Sequence, residues 1–278
     1  MLYLLLAIVS SALISLLMRL SERYRKNPTS MLAVNYLMCS LLAIAFSGQL
    51  TLFPKAEGLP VTLLLGSICG ALFLGSFLLL QWNTARNGVA LSATFMKLGV
   101  LVPTLLSALV FGENLTVLRI LGVAAAVAAI VLMQGKGQKE AGGSMAGLVV
   151  LLLAGGLSDS MSKIYEEWGS AALKDQYLLY TFFVALILCV VLCAFRKQTL
   201  CWQDILFGLL IGIPNYFSAR FLLLALAQLP AVVVYPSFSV GTIVLVTLAG
   251  VLFFKEKLSR RKWIALGVIL GALVLLNL

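Results

Sequence analysis

Ten stretches of predominantly apolar residues follow one another along the chain, with approximate limits 2–20, 29–47, 61–81, 89–111, 115–134, 145–166, 176–195, 204–226, 231–254 and 260–277. A helix needs about 20 such residues to cross the hydrocarbon core of a bilayer. Inside lipid the backbone has no water to bond to, so an open spanning segment has to be helical. The expected fold is therefore all-α and integral to the membrane, with ten transmembrane helices. Only 11% of the residues are charged, against roughly 25% in soluble domains, and the short connectors leave no room for a soluble domain. The first run lacks a basic leading segment and a small-residue cleavage site, so it reads as a span and not as a signal peptide. Asn27-Pro28, the segment Pro54 to Pro60, Asn87-Gly88 and Leu229-Pro230 read as turns.

The ten runs divide into two copies. Gly88 to Thr116 returns as Ala231 to Ser259, and at an offset of 143 eight of the twenty-nine positions are identical. Most matches are apolar and come easily in a chain that is 62% hydrophobic. The shared Glu-x-Leu-(Thr/Ser) ending is more telling, because it repeats a rare charge beside a helix-capping hydroxyl. Gly66 and Gly70 are echoed by Gly208 and Gly212, Tyr36 by Tyr180, and Arg19 by Lys163. The expected organisation is a first five-helix repeat over 1–134, a linker over 135–144 (GKGQKEAGGS) and a second repeat over 145–278. Five crossings end on the far side, so the second copy is inverted in the membrane, an architecture frequent in secondary transporters.

The net charge of +10 comes from Lys and Arg in short loops, where it orients the chain and does not signal a nucleic-acid partner. Loops after odd-numbered spans hold 13 of these residues and loops after even-numbered spans hold 3. Positive-inside counting puts the odd loops in the cytoplasm and both termini outside. Trp82, Trp168, Trp202 and Trp263 fall at run ends, as an interfacial belt would place them. With no His there is no imidazole metal site or proton relay. Of the five Cys, Cys39, Cys69, Cys189 and Cys193 lie inside apolar runs and read as buried thiols.

Charges within the runs are the candidates for function. Arg19 and Lys163 lie near span ends and read as interfacial anchors. Lys97 and Arg220 lie deeper, in spans 4 and 8, and Asp159 lies past the centre of span 6. Counting depth along straight helices pairs Asp159 with Arg220 and leaves Lys97 without a carboxylate at its level. A charge at mid-membrane costs at least about 2.5–3.5 kcal/mol, so such a Lys needs a wet cavity or a bound anionic group. One reading makes Asp159–Arg220 a structural ion pair and leaves Lys97 neutral or bonded to a carbonyl. The functional reading has Lys97 and Arg220 grip an anionic group while Asp159 balances a charge or meets an amine. Asn215, Tyr216, Asn35, Tyr36, Ser15 and Tyr235 are candidates to line the same site, or to serve as helix–helix hydrogen bonds. Pro103, Pro214 and Pro236 each free a carbonyl one turn back and are hinge candidates. Glu113 with Thr116, and Glu256 with Ser259, read as caps for spans 5 and 10.

Ten spans in two halves, with a fourth helix closing in Phe111-Gly112-Glu113-Asn114-Leu115-Thr116 and followed by Gly122, resemble the drug/metabolite transporter superfamily, in particular its EamA-like bacterial members. The second copy departs from the pattern, with Lys255 for the Gly and Ala265 where Gly122 stands. The resemblance implies a cavity lined by spans 1–4 and 6–9, peripheral spans 5 and 10, and moving hairpins 3–4 and 8–9. It also implies cytoplasmic termini, opposite to the charge count.

The function expected is a secondary transporter that moves a small polar metabolite across a bacterial inner membrane by alternating access, in the direction of export. An amino acid or related zwitterion or anion is favoured, since deep charge is two basic residues to one acidic. Coupling to protons and simple facilitated diffusion both stay open, as does oligomeric state beyond a workable monomer. The rival is a proton-coupled cation or multidrug exporter that uses Asp159. An intramembrane enzyme lacks a metal site or an Asp–Asp dyad, and Ser158 lacks a base. A non-transporting scaffold would show no substrate flux. No cofactor is implied, and no Gly-x-x-x-x-Gly-Lys-(Ser/Thr) motif is present.

Overall fold

The computed structural model describes residues 1–47, 53–87, 89–114, 116–134, 144–254 and 260–277. Among them the regular structure is helical. The helices are α1 (Leu2–Ser21), α2 (Pro28–Ser47), α3 (Leu59–Asn87), α4 (Val89–Leu98), α5 (Leu101–Leu109), α6 (Val117–Gln134), α7 (Met145–Trp168), α8 (Lys174–Phe195), α9 (Trp202–Leu226), α10 (Ala231–Phe254) and α11 (Arg260–Asn277). Seven of the described helices are long and apolar enough to cross a membrane, and shorter apolar helices accompany them. The protein is a multi-pass membrane protein. Its outward stripes carry Leu2, Leu5, Val9 and Leu13 on α1, and Ile264, Leu270 and Val274 on α11. Such faces suit contact with lipid tails.

The fourth span differs from the sequence reading. The run expected as one helix over 89–111 is two helices, α4 and α5, separated at Gly99 and Val100. Tight i→i+3 bonds mark the break: Gly99 N–H to Met96 O at 3.2 Å, and Val102 N–H to Gly99 O at 2.9 Å. Pro103 therefore sits in the first turn of α5, where a missing N–H costs nothing, and not at a kink of a continuous helix.

The chain forms two compact units that do not coincide with its two sequence halves. One combines Leu2–Leu74 with Ile164–Leu224. In it α2 runs along α8. A Cβ on Gly66 would meet Tyr180 Cβ at 2.9 Å and Tyr177 O at 3.1 Å, and Gly70 lies against Thr181 O, so α3 packs on α8 through bare backbone. The echo is exact in kind: a Cβ on Gly208 would meet Met31 O at 2.7 Å, and one on Gly212 would meet Asn35 O at 2.8 Å. There α9 packs on α2. Met31, Phe207 and Ile211 form a small apolar core with Ile14, Leu17 and Met18 of α1.

The other unit combines Gly75–Lys163 with Ala225–Leu278, and includes Met1. In it α6 packs on α11, α5 on α10, and α10 on both α6 and α11. The α4–α5 break lies on α7, where a Cβ on Gly99 would meet Gly156 N at 2.9 Å and Leu152 O at 3.0 Å. At the start of α7, Asn83 of α3 donates from Nδ2 to Gly147 O at 3.0 Å.

Candidate functional site

The α6/α11 unit holds the charged candidates Lys97 and Asp159, on the two helices α4 and α7 that pack near Gly99 and Gly156. The Gly99–Gly156 crossing sets the level of α4 on α7. Met96, next to Lys97, faces Gly155, and Asp159 stands one turn beyond Gly155 on α7. Lys97 lies in the last turn of α4. A helix C-terminus carries partial negative charge, which favours a cation there. The depth count made for Lys97 does not carry over to this geometry. It counted residues along an unbroken helix, and the helix ends one residue after Lys97.

Asp159 is exposed, whereas Ser158 and Ser160 on either side of it are buried. The outward stripe of α7 is Val149, Val150, Leu153 and Leu157. Two further residues turn the helix by about 200° from Leu157. Asp159 therefore opens on the face that carries Gly155 and Gly156, where α4 and α5 pack. Tyr235 of α10, nearly fully buried, donates its hydroxyl to the Asp159 carbonyl at 2.9 Å. Pro236 lies inside α10 beside it. Four buried serine hydroxyls of this unit, on Ser76, Ser92, Ser158 and Ser237, have no hydrogen-bond partner among the described residues. Other helical hydroxyls bond back to a carbonyl four residues earlier, as Ser107 does to Pro103 O at 2.7 Å and Ser160 does to Gly156 O at 2.7 Å.

The α2/α8 unit holds the remaining candidates. Arg220 of α9 pairs with Asp175 Oδ1 at 2.9 Å, in the first turn of α8, and donates to the Tyr216 hydroxyl at 2.6 Å. Its guanidinium also lies over the Phe46 ring at 5.1 Å. The expected Asp159–Arg220 pair is replaced by this one. Asp175 falls just before the seventh apolar run, and a count of charges inside runs passes over it. Asn215 donates from Nδ2 to Asn35 Oδ1 at 3.2 Å, joining α9 to α2. Tyr216 is fully buried, and Tyr36 lies with its ring 6.3 Å from that of Phe182. Ser15 bonds back to Ser11 O at 3.1 Å within α1. Pro214 lies inside α9 one residue before Asn215. Asp175, Phe46 and Phe182 are contributors that residue-by-residue reading missed; only an aromatic and a carboxylate near a deep Arg could have hinted at them.

Glu113 acts on a helix other than the one expected. After α5 the chain turns at Gly112, left-handed with φ of 66°, and the Glu113 N–H bonds to Ser107 O at 3.1 Å. A left-handed residue just past a helix end favours glycine. The turn aims Glu113 at the start of α10, where the carboxylate accepts from Ala231 N–H and Val232 N–H, both at 2.9 Å. Lys163 of α7 completes the site 2.8 Å from Oε1. Burial pushes the Glu113 carboxyl up, but the hydrogen bonds from Lys163 and the two amides outweigh it and hold it below its ordinary value. Lys163 is accordingly a buried partner, not an interfacial anchor. Thr116 caps α6 by accepting from Arg119 N–H at 3.3 Å. Glu256 and Ser259 lie outside the described residues.

Comparisons agree with this architecture. Residues 1–134 match the EamA-like transporter family, and residues 176–269 match the Small Multidrug Resistance protein family. An uncharacterized protein of Haemophilus influenzae is 24% identical over 288 residues, spanning 96% of this chain and 94% of its own length. The probable 4-amino-4-deoxy-L-arabinose-phosphoundecaprenol flippase subunit ArnE of Hamiltonella defensa is 34% identical over 85 residues, which are 30% of this chain and 68% of that protein. A solved crystal structure shares the fold at a TM-score of 0.75 and 17% identity, over 99% of this chain and 94% of the other.

Proposed function

The chain belongs to the drug/metabolite transporter superfamily, with an EamA-like first half, and from that membership we propose that it is a secondary transporter for a small zwitterionic or anionic metabolite. The observation that carries this reading is the placing of Lys97 and Asp159, opposite charges, on the packed helices α4 and α7 within one membrane unit, with Asp159 accessible on the inward face of α7. A zwitterion such as an amino acid brings the complementary pair of charges, its carboxylate for Lys97 and its ammonium for Asp159. Such a ligand partners both charges without leaving either unpaired in lipid, which would be costly. Arg220, with Tyr216, Asn215 and Asn35, supplies a second polar station in the other unit, built on α9 and α2.

The reading extends to inverted five-helix halves, alternating access, a bacterial inner membrane and export. The reciprocal seams support the inverted halves: α3 lies on α8 as α9 lies on α2, and corresponding spans meet in α2·α8, α5·α10 and α6·α11. Pro214, Pro236 and the α4–α5 break are the points at which helices can flex.

A second reading has a specific observation behind it. The match of residues 176–269 to the Small Multidrug Resistance family favours a multidrug exporter; exchange of a cation for a proton at Asp159, a residue outside that match, is the chemistry this reading would use. The cargo named for the flippase relative carries both an amino group and a phosphate, so it too would meet Asp159 and Lys97 with complementary charges.

Flux of labelled amino acids, quaternary amines and amino-sugar phosphates into proteoliposomes distinguishes these readings. The zwitterion reading expects Lys97→Ala and Asp159→Asn both to abolish flux. Full flux in Lys97→Ala and Arg220→Ala would sink it, and cation flux lost only in Asp159→Asn would favour the exporter.

A further inference from the structure

Two basic loops, far apart in sequence, are fastened together in the α2/α8 unit. The loop after α1 carries Arg23, Arg25 and Lys26, and the loop after α8 carries Arg196 and Lys197. Asp204, fully buried in the first turn of α9, accepts from Lys26 N–H at 2.9 Å and from Asn27 N–H at 3.2 Å. Asn27 donates from Nδ2 to Thr199 O at 2.8 Å, and Ser30 donates to Gln198 Oε1 at 3.4 Å. The carboxylate is thus turned to backbone amides. It clamps the loops and leaves the cationic side chains facing outward. Arg23, Lys26, Arg196 and Lys197 are exposed and Arg25 is half-buried, with Glu22 the one acidic residue in these two loops.

Two details go beyond a topological charge signal. Lys197 takes a left-handed φ of 49° as α8 closes, its N–H bonded to Ala194 O at 3.1 Å. Glycine is the cheaper residue at such a position, yet a cation is carried there. Around the cations, Tyr24, Phe195 and Trp202 are 49%, 83% and 71% exposed. Tyr and Trp of this kind settle at the level of the lipid headgroups. A topological signal needs charges on the correct side of the membrane; it does not need two loops joined by a buried carboxylate.

We propose that the clamped α1–α2 and α8–α9 loops form a docking site for the phosphodiester headgroup of an anionic phospholipid. The five cations supply the charge, Tyr24 and Trp202 set the depth, and Asp204 with Asn27 holds the two basic arms at a fixed spacing. The proposal is independent of what the protein transports.

The test titrates phosphatidylglycerol, cardiolipin or phosphatidylcholine into the full chain in detergent and reads retained lipid by native mass spectrometry. Binding should favour the anionic lipids. Arg23→Gln with Lys26→Gln, and separately Arg196→Gln with Lys197→Gln, should each weaken it, by roughly fivefold for every charge removed. Asp204→Ala separates the site from bulk electrostatics. It makes the chain more positive, so plain attraction would tighten binding, whereas an unclamped site weakens it. Asn27→Ala, a milder change that keeps Asp204, should weaken binding in the same direction if Asp204→Ala does not fold. Equal retention of phosphatidylcholine, or unchanged or tighter anionic binding in the clamp variants that fold, would overturn the proposal. So would displacement of the lipid by inorganic phosphate at matched concentration, which would assign the site to free phosphate.

Discussion

Lys163 Nζ stands 2.8 Å from Glu113 Oε1, with the two side chains 7% and 13% exposed. The contact ties α7 to the loop after α5, and through Ala231 and Val232 to the start of α10. Removing one member of a buried pair strands the other, at a cost of about 3 kcal/mol or more. Lys163→Met should therefore lower the unfolding midpoint in detergent markedly. Adding Glu113→Gln should recover part of the loss, because a neutral amide needs no counter-charge. Losses that simply add would show that the pair is not coupled.

The same carboxylate sets an acid limit. Glu113 is held below its ordinary value of 4.5 in the folded protein. The unfolded chain therefore takes up its proton first as pH falls. The stabilisation is whole above about pH 4.5 and drains away below it, toward the folded value. Melting temperatures of the wild type and Glu113→Gln, compared from neutral to acid pH, should converge below that point. A constant gap would place the acid sensitivity elsewhere.

Glycines of the seams and glycines on open faces should respond oppositely to alanine. A Cβ on Gly212 would meet Asn35 O at 2.8 Å, whereas one on Gly75 meets nothing within 4 Å. Gly212→Ala should destabilise by roughly 1–3 kcal/mol through overpacking. Gly75→Ala should be neutral or gain up to about 1 kcal/mol from helix propensity. Thermal shift of the two purified variants decides the matter.

Arg220 meets Asp175, the Tyr216 hydroxyl and the Phe46 face at once. A planar fork can do this and a point ammonium cannot. Arg220→Lys should therefore lose most transport despite keeping the charge, while stability changes little, since the pair is 24% and 32% exposed. Flux equal to wild type in Arg220→Lys would reduce the residue to a bare positive charge.

Orientation separates two lines of reasoning. The loop charge count puts both termini outside, whereas the resemblance puts both inside. Single cysteines at Arg23 and at Lys55, probed with an impermeant maleimide on intact cells, give opposite answers under the two. Labelling at Lys55 alone supports the count, and labelling at Arg23 alone supports the resemblance.

Much of the architecture is legible in the residues. Apolar runs separated by turn chemistry foretell an all-helical membrane protein, and Phe111-Gly112-Glu113 carries the family. The paired Gly-x-x-x-Gly motifs mark where backbones touch, because bare backbone packing needs glycine whatever the partner. The charge partners were not legible. Depth counting assumes straight helices, and the break at Gly99 defeats it for Lys97. Arg220 escapes because its partner, Asp175, sits outside the apolar run. Glu113 looked local because its neighbour Thr116 is a cap, yet its ligands lie on α10, more than a hundred residues on. Long-range pairing of this kind leaves no mark in spacing.

Each compact unit draws on both halves of the chain, and that carries a consequence for how such a protein can be made. Neither half owns a complete interior. Released alone from the ribosome, residues 1–134 would present Gly66, Gly70 and the α8-facing side of α2 with nothing to seat on them. Expressed as two separate polypeptides, the halves should each be degraded alone and rescued together. Their assembly would follow the rules of subunit association, with the peptide linker serving to raise local concentration.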